Sequence, residues 1–191
     1  QIGHQQITVS GEIGRKGNSD IHLIIDNEAL DYEATRAYLP EVLRERLGQY
    51  HVSGPFAVRT EILGGPRIGL DPEITVDFRL DGGDLRVLDF DFSDVYTSGT
   101  FVNRLEKAEG GIPGSKKNLR IVLDSTDGYL GRLRVQAPNA IMRGTEGDTR
   151  LTAPMRFSGP TSVINDRIGT RDFFFNRGHF TLNTHIDASL N

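Results

Sequence analysis

The sequence predicts a mainly β protein, built as an elongated, curved and mostly antiparallel sheet with an open groove. Apolar residues recur at every second position through most of the chain, which is the period of a strand with one apolar face. The 191 residues also include 22 Gly and 8 Pro. This supply of turn-forming residues suits many short strands better than a few long helices.

The clearest alternation lies in "EITVDFRL", residues 73–80. Residues 81–84, which include "DGG", are predicted to form a turn before a return strand that begins at Leu85. A shift in the apolar phase after Val87 predicts a β-bulge, beyond which Phe90 continues the apolar face. The apolar residues of the first strand share one face: Ile74, Val76, Phe78 and Leu80.

The same alternation predicts strands on both sides of this hairpin, so residues 1–191 are predicted to form a single β-rich domain. Turn residues separate these strands, among them "TDG" at 126–128. The alternating apolar residues are Ile7, Val9 and Ile13; Ile21, Leu23 and Ile25; Phe56, Val58 and Ile62; Leu119, Ile121 and Leu123; Leu133, Val135 and Ala137; Leu151, Ala153, Met155 and Phe157; Phe180, Leu182 and Ile186.

One segment, "YLPEVLRERLGQ", departs from this strand rhythm. Its apolar residues, Leu39, Val42, Leu43 and Leu47, recur at helical spacing and form one stripe. Pro40 suits the first turn of a helix, where its missing N–H has no partner in any case. We therefore expect one short helix near 39–47 that caps the end of the apolar sheet face.

The composition excludes several classes of function. A net charge of −4 with interspersed charges gives no basic stripe, so we expect no nucleic-acid partner. The chain has no cysteine, which excludes thiolate metal sites and a cysteine nucleophile. No apolar run approaches the roughly 20 residues that span a bilayer. Because the sequence begins with Gln1, we expect a processed chain or an excised piece of a larger protein, so that any signal peptide or membrane anchor would lie outside it.

A search for catalytic residues finds one acidic cluster, formed by Asp89, Asp91 and Asp94. The first two would project from one strand face about 6 to 7 Å apart, which is compatible with a glycosidase or a calcium site. The alternation with neighbouring apolar residues also explains them as the solvated face of a strand. His179 and His185 would lie roughly 20 Å apart on a strand, too far to share a metal. We expect no enzyme activity, cofactor or metal.

The segment from Asn27 to Ile62 resembles the AsmA-like family of bacterial envelope proteins, which includes TamB. In that family a strand is followed by a short helix around Leu-Pro and then by a strand that begins at glycine. The matching positions here are Asn27, Leu30, Leu39, Pro40, Leu47, Gly54 and the run to Ile62. The pattern continues in "FRLDGGDLRVLDFDFSDVYTSGTFVNRL", and the resemblance extends over residues 7–164.

The resemblance implies a curved sheet whose apolar concave face holds the acyl chains of phospholipid or another lipid. It also implies a periplasmic location in Gram-negative bacteria, anchoring in the inner membrane, further repeats of the same protein as partners, and a role in lipid transport and outer-membrane homeostasis. The predicted lipid-binding residues are Phe56, Val58, Ile62, Ile74, Val76, Phe78, Leu80, Leu85, Val87 and Phe90.

Two other functions are compatible with the sequence. A structural or assembly module would pack the apolar face against a partner chain, and the sequence does not separate this function from lipid binding. A carbohydrate-binding or hydrolytic β-domain would instead use Asp89, Asp91 and Asp94.

Overall fold

The computed structural model describes residues 6–13, 21–32, 50–54, 56–64, 72–87, 90–104, 118–145, 148–168, 175 and 177–189. Of these residues 80% lie in strands, so the mainly β prediction is confirmed. The strands are β1 (Thr8–Ile13), β2 (Ile21–Leu30), β3 (Tyr50–Val52), β4 (Phe56–Leu63), β5 (Glu73–Val87), β6 (Phe90–Val102), β7 (Leu119–Leu130), β8 (Leu133–Gln136), β9 (Ala140–Thr145), β10 (Asp148–Pro160) and β11 (His179–Ser189).

The eleven strands formed by the described residues belong to one antiparallel sheet. Its main path runs in the order β1, β2, β4, β5, β6, β7, β8, β10 and β11. β3 extends the line of β4, because both strands pair with β5. β9 extends the line of β8 in the same way, because both lie between β7 and β10. The path leaves β1 at one edge of the sheet and β11 at the other.

Among the described residues one helix is present, α1 (Ser162–Ile168), between β10 and β11. Asn165 of this helix makes two hydrogen bonds with the backbone of Phe175. Its Nδ2 donates to the carbonyl oxygen at 3.0 Å, and its Oδ1 accepts from the N–H at 2.9 Å. The capping helix predicted near 39–47 lies outside the described residues. No helix in the described part of the chain is long and apolar enough to cross a bilayer.

The prediction of a turn at residues 81–84 is wrong. β5 continues through these residues to Val87, and the register with β6 shifts on both sides of Gly83. Gly82 has a φ of 74°, a conformation that glycine adopts at low cost, and Asp94 on the opposite strand has a φ of 49°. The glycines therefore form a bulge inside a long strand. Because bulges bend a strand, we expect the sheet to bend at Gly82 and Gly83.

The turn predicted at "TDG", residues 126–128, is also wrong, since β7 runs on to Leu130. The chain reverses instead at Gly131, which has a φ of 61° and lies in a two-residue hairpin between Leu130 and Leu133. The predicted bulge after Val87 involves residues 88–89, which lie outside the described residues. β5 ends at Val87, and Val87 pairs with Phe90 at the start of β6.

Candidate functional site

The sheet has one apolar face and one charged face, and the register shows which residues belong to each. Phe78 pairs with Val58 on one side and with Gly99 on the other, and the register continues this row to Leu123. Directly opposed residues lie on the same side of a sheet, so these side chains share the apolar face. A Cβ added at Gly99 would lie 2.9 Å from Cζ of Phe78. The ring of Phe78 therefore extends over the neighbouring strand.

Six of the predicted lipid-binding residues come together on β4 and β5. All six are half-buried, with part of each side chain accessible to solvent. Val58 pairs with Phe78, and Ile62 pairs with Ile74. Phe56 and Val76 lie next to these pairs on the same face. Phe56 and Phe78 are in aromatic contact, with ring centroids 6.5 Å apart. We call these residues the β4–β5 patch: Phe56, Val58, Ile62, Ile74, Val76 and Phe78.

The other predicted residues have different surroundings. Leu80 is only 2% exposed, so it belongs to the core and is not part of an accessible surface. Leu85 is half-buried and lies beyond the bulge on the apolar face, opposite Phe92. Phe90 is 48% exposed and contacts Phe92, with ring centroids 6.5 Å apart. The backbone of Val87 pairs with that of Phe90.

The structure adds residues to the apolar face that the lipid-site prediction left out. Leu23 on β2 pairs with Ile62, and Phe101 on β6 pairs with Val76 and with Ile121. These added side chains are also half-buried. Alternation marked Leu23 and Ile121 as strand residues, but only the register shows that they continue the patch.

At the other side of the sheet, three small residues of the apolar face are buried. Ala137, Ala140 and Ala153 are 6%, 4% and 2% exposed. Larger side chains pack over them: Leu123, Leu151 and Met155. We call these six residues the alanine cluster. Small residues covered by large neighbours leave no room for a ligand, so the cluster is a packed core.

The charged face is held together by ion pairs between neighbouring strands. Arg86 Nε donates to Asp91 at 2.5 Å, and Arg150 Nε donates to Asp187 at 2.5 Å. These contacts hold the pKa of each carboxyl below its ordinary value, first through the hydrogen bond and then through the charge of the arginine.

A third arginine–carboxylate pair lies between β7 and β8. Arg134 donates to both carboxylate oxygens of Asp127, and Gln136 donates to the same group at 3.2 Å. The hydrogen bond from Arg134 is the largest cause of a lowered pKa at Asp127, and it raises the pKa of Arg134 in return.

The acidic cluster predicted as an alternative site does not converge on a pocket. Asp91 lies on the charged face and is ion-paired with Arg86. Asp94 is exposed, at the positive-φ position of the bulge, and Asp89 lies outside the described residues. In the described part of the chain, no three histidine or acidic side chains are placed to hold a metal ion together.

A depression of about 820 Å³ lies over β2, β4 and β5, and most of its lining residues belong to the charged face. Its two arginines already have carboxylate partners within the protein. Arg59 Nη1 lies 3.2 Å from Asp26 Oδ1, and Arg79 Nε lies 2.8 Å from Asp81 Oδ2. The described residues that line this depression therefore offer no unpaired cation to an anionic ligand, and the β4–β5 patch is the stronger candidate site.

Comparison with known proteins gives no support to any family. No family model, no curated protein and no solved structure matches this chain.

Proposed function

We propose that this chain is a non-catalytic lipid-binding protein that holds acyl chains on the apolar face of its sheet. One observation supports this most directly. The large side chains of the β4–β5 patch are half-buried and partly accessible to solvent, although their face is apolar across neighbouring strands. A soluble surface rarely presents contiguous apolar area without a partner, so such a patch indicates a binding surface.

The mechanism is solvation. Each methylene group that leaves water for the apolar face gains about 0.8 kcal/mol, so an acyl chain laid across several strands gains enough to bind. Valine, isoleucine and phenylalanine side chains offer no hydrogen bonds or charges. The face therefore recognises the apolar chain and leaves the polar head group at the open edge in water.

Transport along the sheet follows from the same arrangement. The apolar rows continue from β2 through β6, and a surface without charges presents no strong barrier to sliding. The resemblance to AsmA-like proteins supports a periplasmic location and an inner-membrane anchor outside this chain. It also supports further repeats of the same protein as partners and a role in phospholipid transport and outer-membrane homeostasis.

Extraction of small molecules from the natively purified chain tests the proposal. Mass spectrometry should detect phospholipid or another acyl-chain lipid in the wild-type chain and much less in Val76→Asp. The control is Thr75→Asp, the adjacent position on the other face, which should retain the lipid. Lipid-free wild-type protein that instead co-purifies with a partner protein through the same residues would favour an assembly module.

A further inference from the structure

The two edges of the sheet differ in how well they are protected against pairing with another chain. β1 is six residues long, whereas β11 has eleven and pairs with β10 without a register break from His179 to Ser189. β11 contains no proline or lysine, and natural edge strands use such residues, bulges or short length to prevent edge-to-edge pairing. Among the described residues, nothing pairs with the outer edge of β11.

The apolar side chains of β11 are complementary to a second copy of the strand in antiparallel orientation. If Thr184 lies opposite Thr184 of the second copy, Leu182 lies opposite Ile186 and Phe180 lies opposite Ala188. Each pair joins two apolar residues on the apolar face. Leu182 is 53% exposed in the single chain, so this pairing would cover it.

The charged face is compatible with the same register. Asn183 would lie opposite His185 of the second copy, and Thr181 would lie opposite Asp187. No two like charges are directly opposed, which is the arrangement that destabilises cross-strand pairs. Asp187 would lie diagonal to His179 of the second copy.

Strand directions favour β11 of a second copy over β1 as the partner. The main path has nine strands, each antiparallel to its neighbours, so β1 and β11 point the same way. Joining β11 to β1 of a translated copy would be a parallel pairing of at most six residues and would add copies without end. Pairing β11 with itself is antiparallel, spans the eleven residues of the strand and closes as a two-fold dimer.

We infer that two copies of this chain form a dimer by antiparallel pairing of β11, with Thr184 on the two-fold axis. A two-fold axis perpendicular to the sheet keeps the apolar faces on the same side. The dimer therefore carries one continuous apolar face across both chains. This inference does not depend on lipid binding.

Light scattering during size-exclusion chromatography of the full chain tests the dimer. The wild type should show twice the mass of the 21.2 kDa chain as concentration rises. Thr184→Lys places two like charges opposite each other, and Thr184→Glu does the same, so each variant alone should be monomeric. Thr184 is exposed, so both variants should keep the wild-type circular dichroism. An equal mixture of the two should dimerise again. Ser10→Lys on β1 is the matched control and should remain dimeric.

A cysteine crosslink tests the position of the axis, because the chain has no cysteine of its own. Thr184→Cys should form a disulfide-linked dimer under mild oxidation, whereas Ser10→Cys should not. A wild-type chain that stays monomeric at its highest soluble concentration would overturn the inference. So would an open-ended assembly, dimerisation of Thr184→Lys as strong as that of the wild type, or a mixture of the charged variants that stays monomeric.

Discussion

The β4–β5 patch and the alanine cluster lie on the same apolar face, but only the cluster contains fully buried residues, its three alanines. In the alanine cluster, small residues are fully covered by larger neighbours. In the patch, the large residues are half-buried and none of them is fully covered. Alternation alone produces both, so an apolar face of a sheet is not by itself a core or a binding site. The size of the residues and what covers them decide which it becomes.

A carboxylate introduced into each region should produce the largest difference in stability between the cluster and the patch. Ala153→Asp places a carboxylate at a position that is 2% exposed, with only apolar neighbours in the cluster, and should cost at least about 3 kcal/mol of unfolding free energy. In the patch, the carboxylate of Val76→Asp can reach water, so folding should largely survive. Chemical denaturation of both variants measures the difference. Equal destabilisation of the two would mean that the patch is a closed core.

Truncation on a single strand gives a finer comparison. Leu80 and Phe78 are two residues apart on β5 and share the apolar face, but Leu80 is buried and Phe78 is only half-buried. Leu80→Ala should cost about 2 to 5 kcal/mol, as is typical of a buried leucine. Phe78→Ala should cost less, although phenylalanine is larger, because part of its ring is already in water. A greater loss at Phe78 would contradict the exposed patch.

The smallest change in stability is expected from a substitution on the charged face. The pKa of Asp127 is lowered by Arg134, so the folded state favours the ionised carboxylate. The stabilisation is therefore present above the pKa of the unfolded chain, near 4, and is lost as pH falls through the lower folded value. Asp127→Asn should reduce this acid-dependent part of the stability and leave lipid content unchanged. Thermal unfolding of both proteins between neutral and acidic pH measures it. An unchanged acid dependence would show that the pair contributes nothing.

Much of the fold could be predicted from the sequence, because alternation is a local property. The apolar residues from Ile74 to Leu80 fall on one face as predicted. The turns at "DGG" and "TDG" were wrong because glycine with positive φ serves a bulge or a hairpin equally well, and tertiary pairing decides between them. Gly82 belongs to a bulge, whereas Gly131 forms the hairpin.

The candidate site was harder to predict, because accessibility depends on strands that are distant in sequence. Leu80 and Phe78 have the same alternation and the same face, but one is buried and the other is accessible. Likewise, the partner of Asp91 is Arg86 across a hairpin, and only the register identifies it. The lipid itself leaves no signature in apolar residues, so its identity stays a prediction.

Site-specific photo-crosslinking at adjacent positions on β5 tests whether lipid binds on the apolar face. We expect a photoreactive residue at Val76 or Phe78 to capture lipid in cells. We expect no capture at Asp77, because side chains alternate across a strand and Asp77 points to the charged face. Capture at residues 76 and 78 but not at 77 would support lipid binding on the apolar face. Equal capture at 76 and 77, or no capture at 76 and 78, would contradict it.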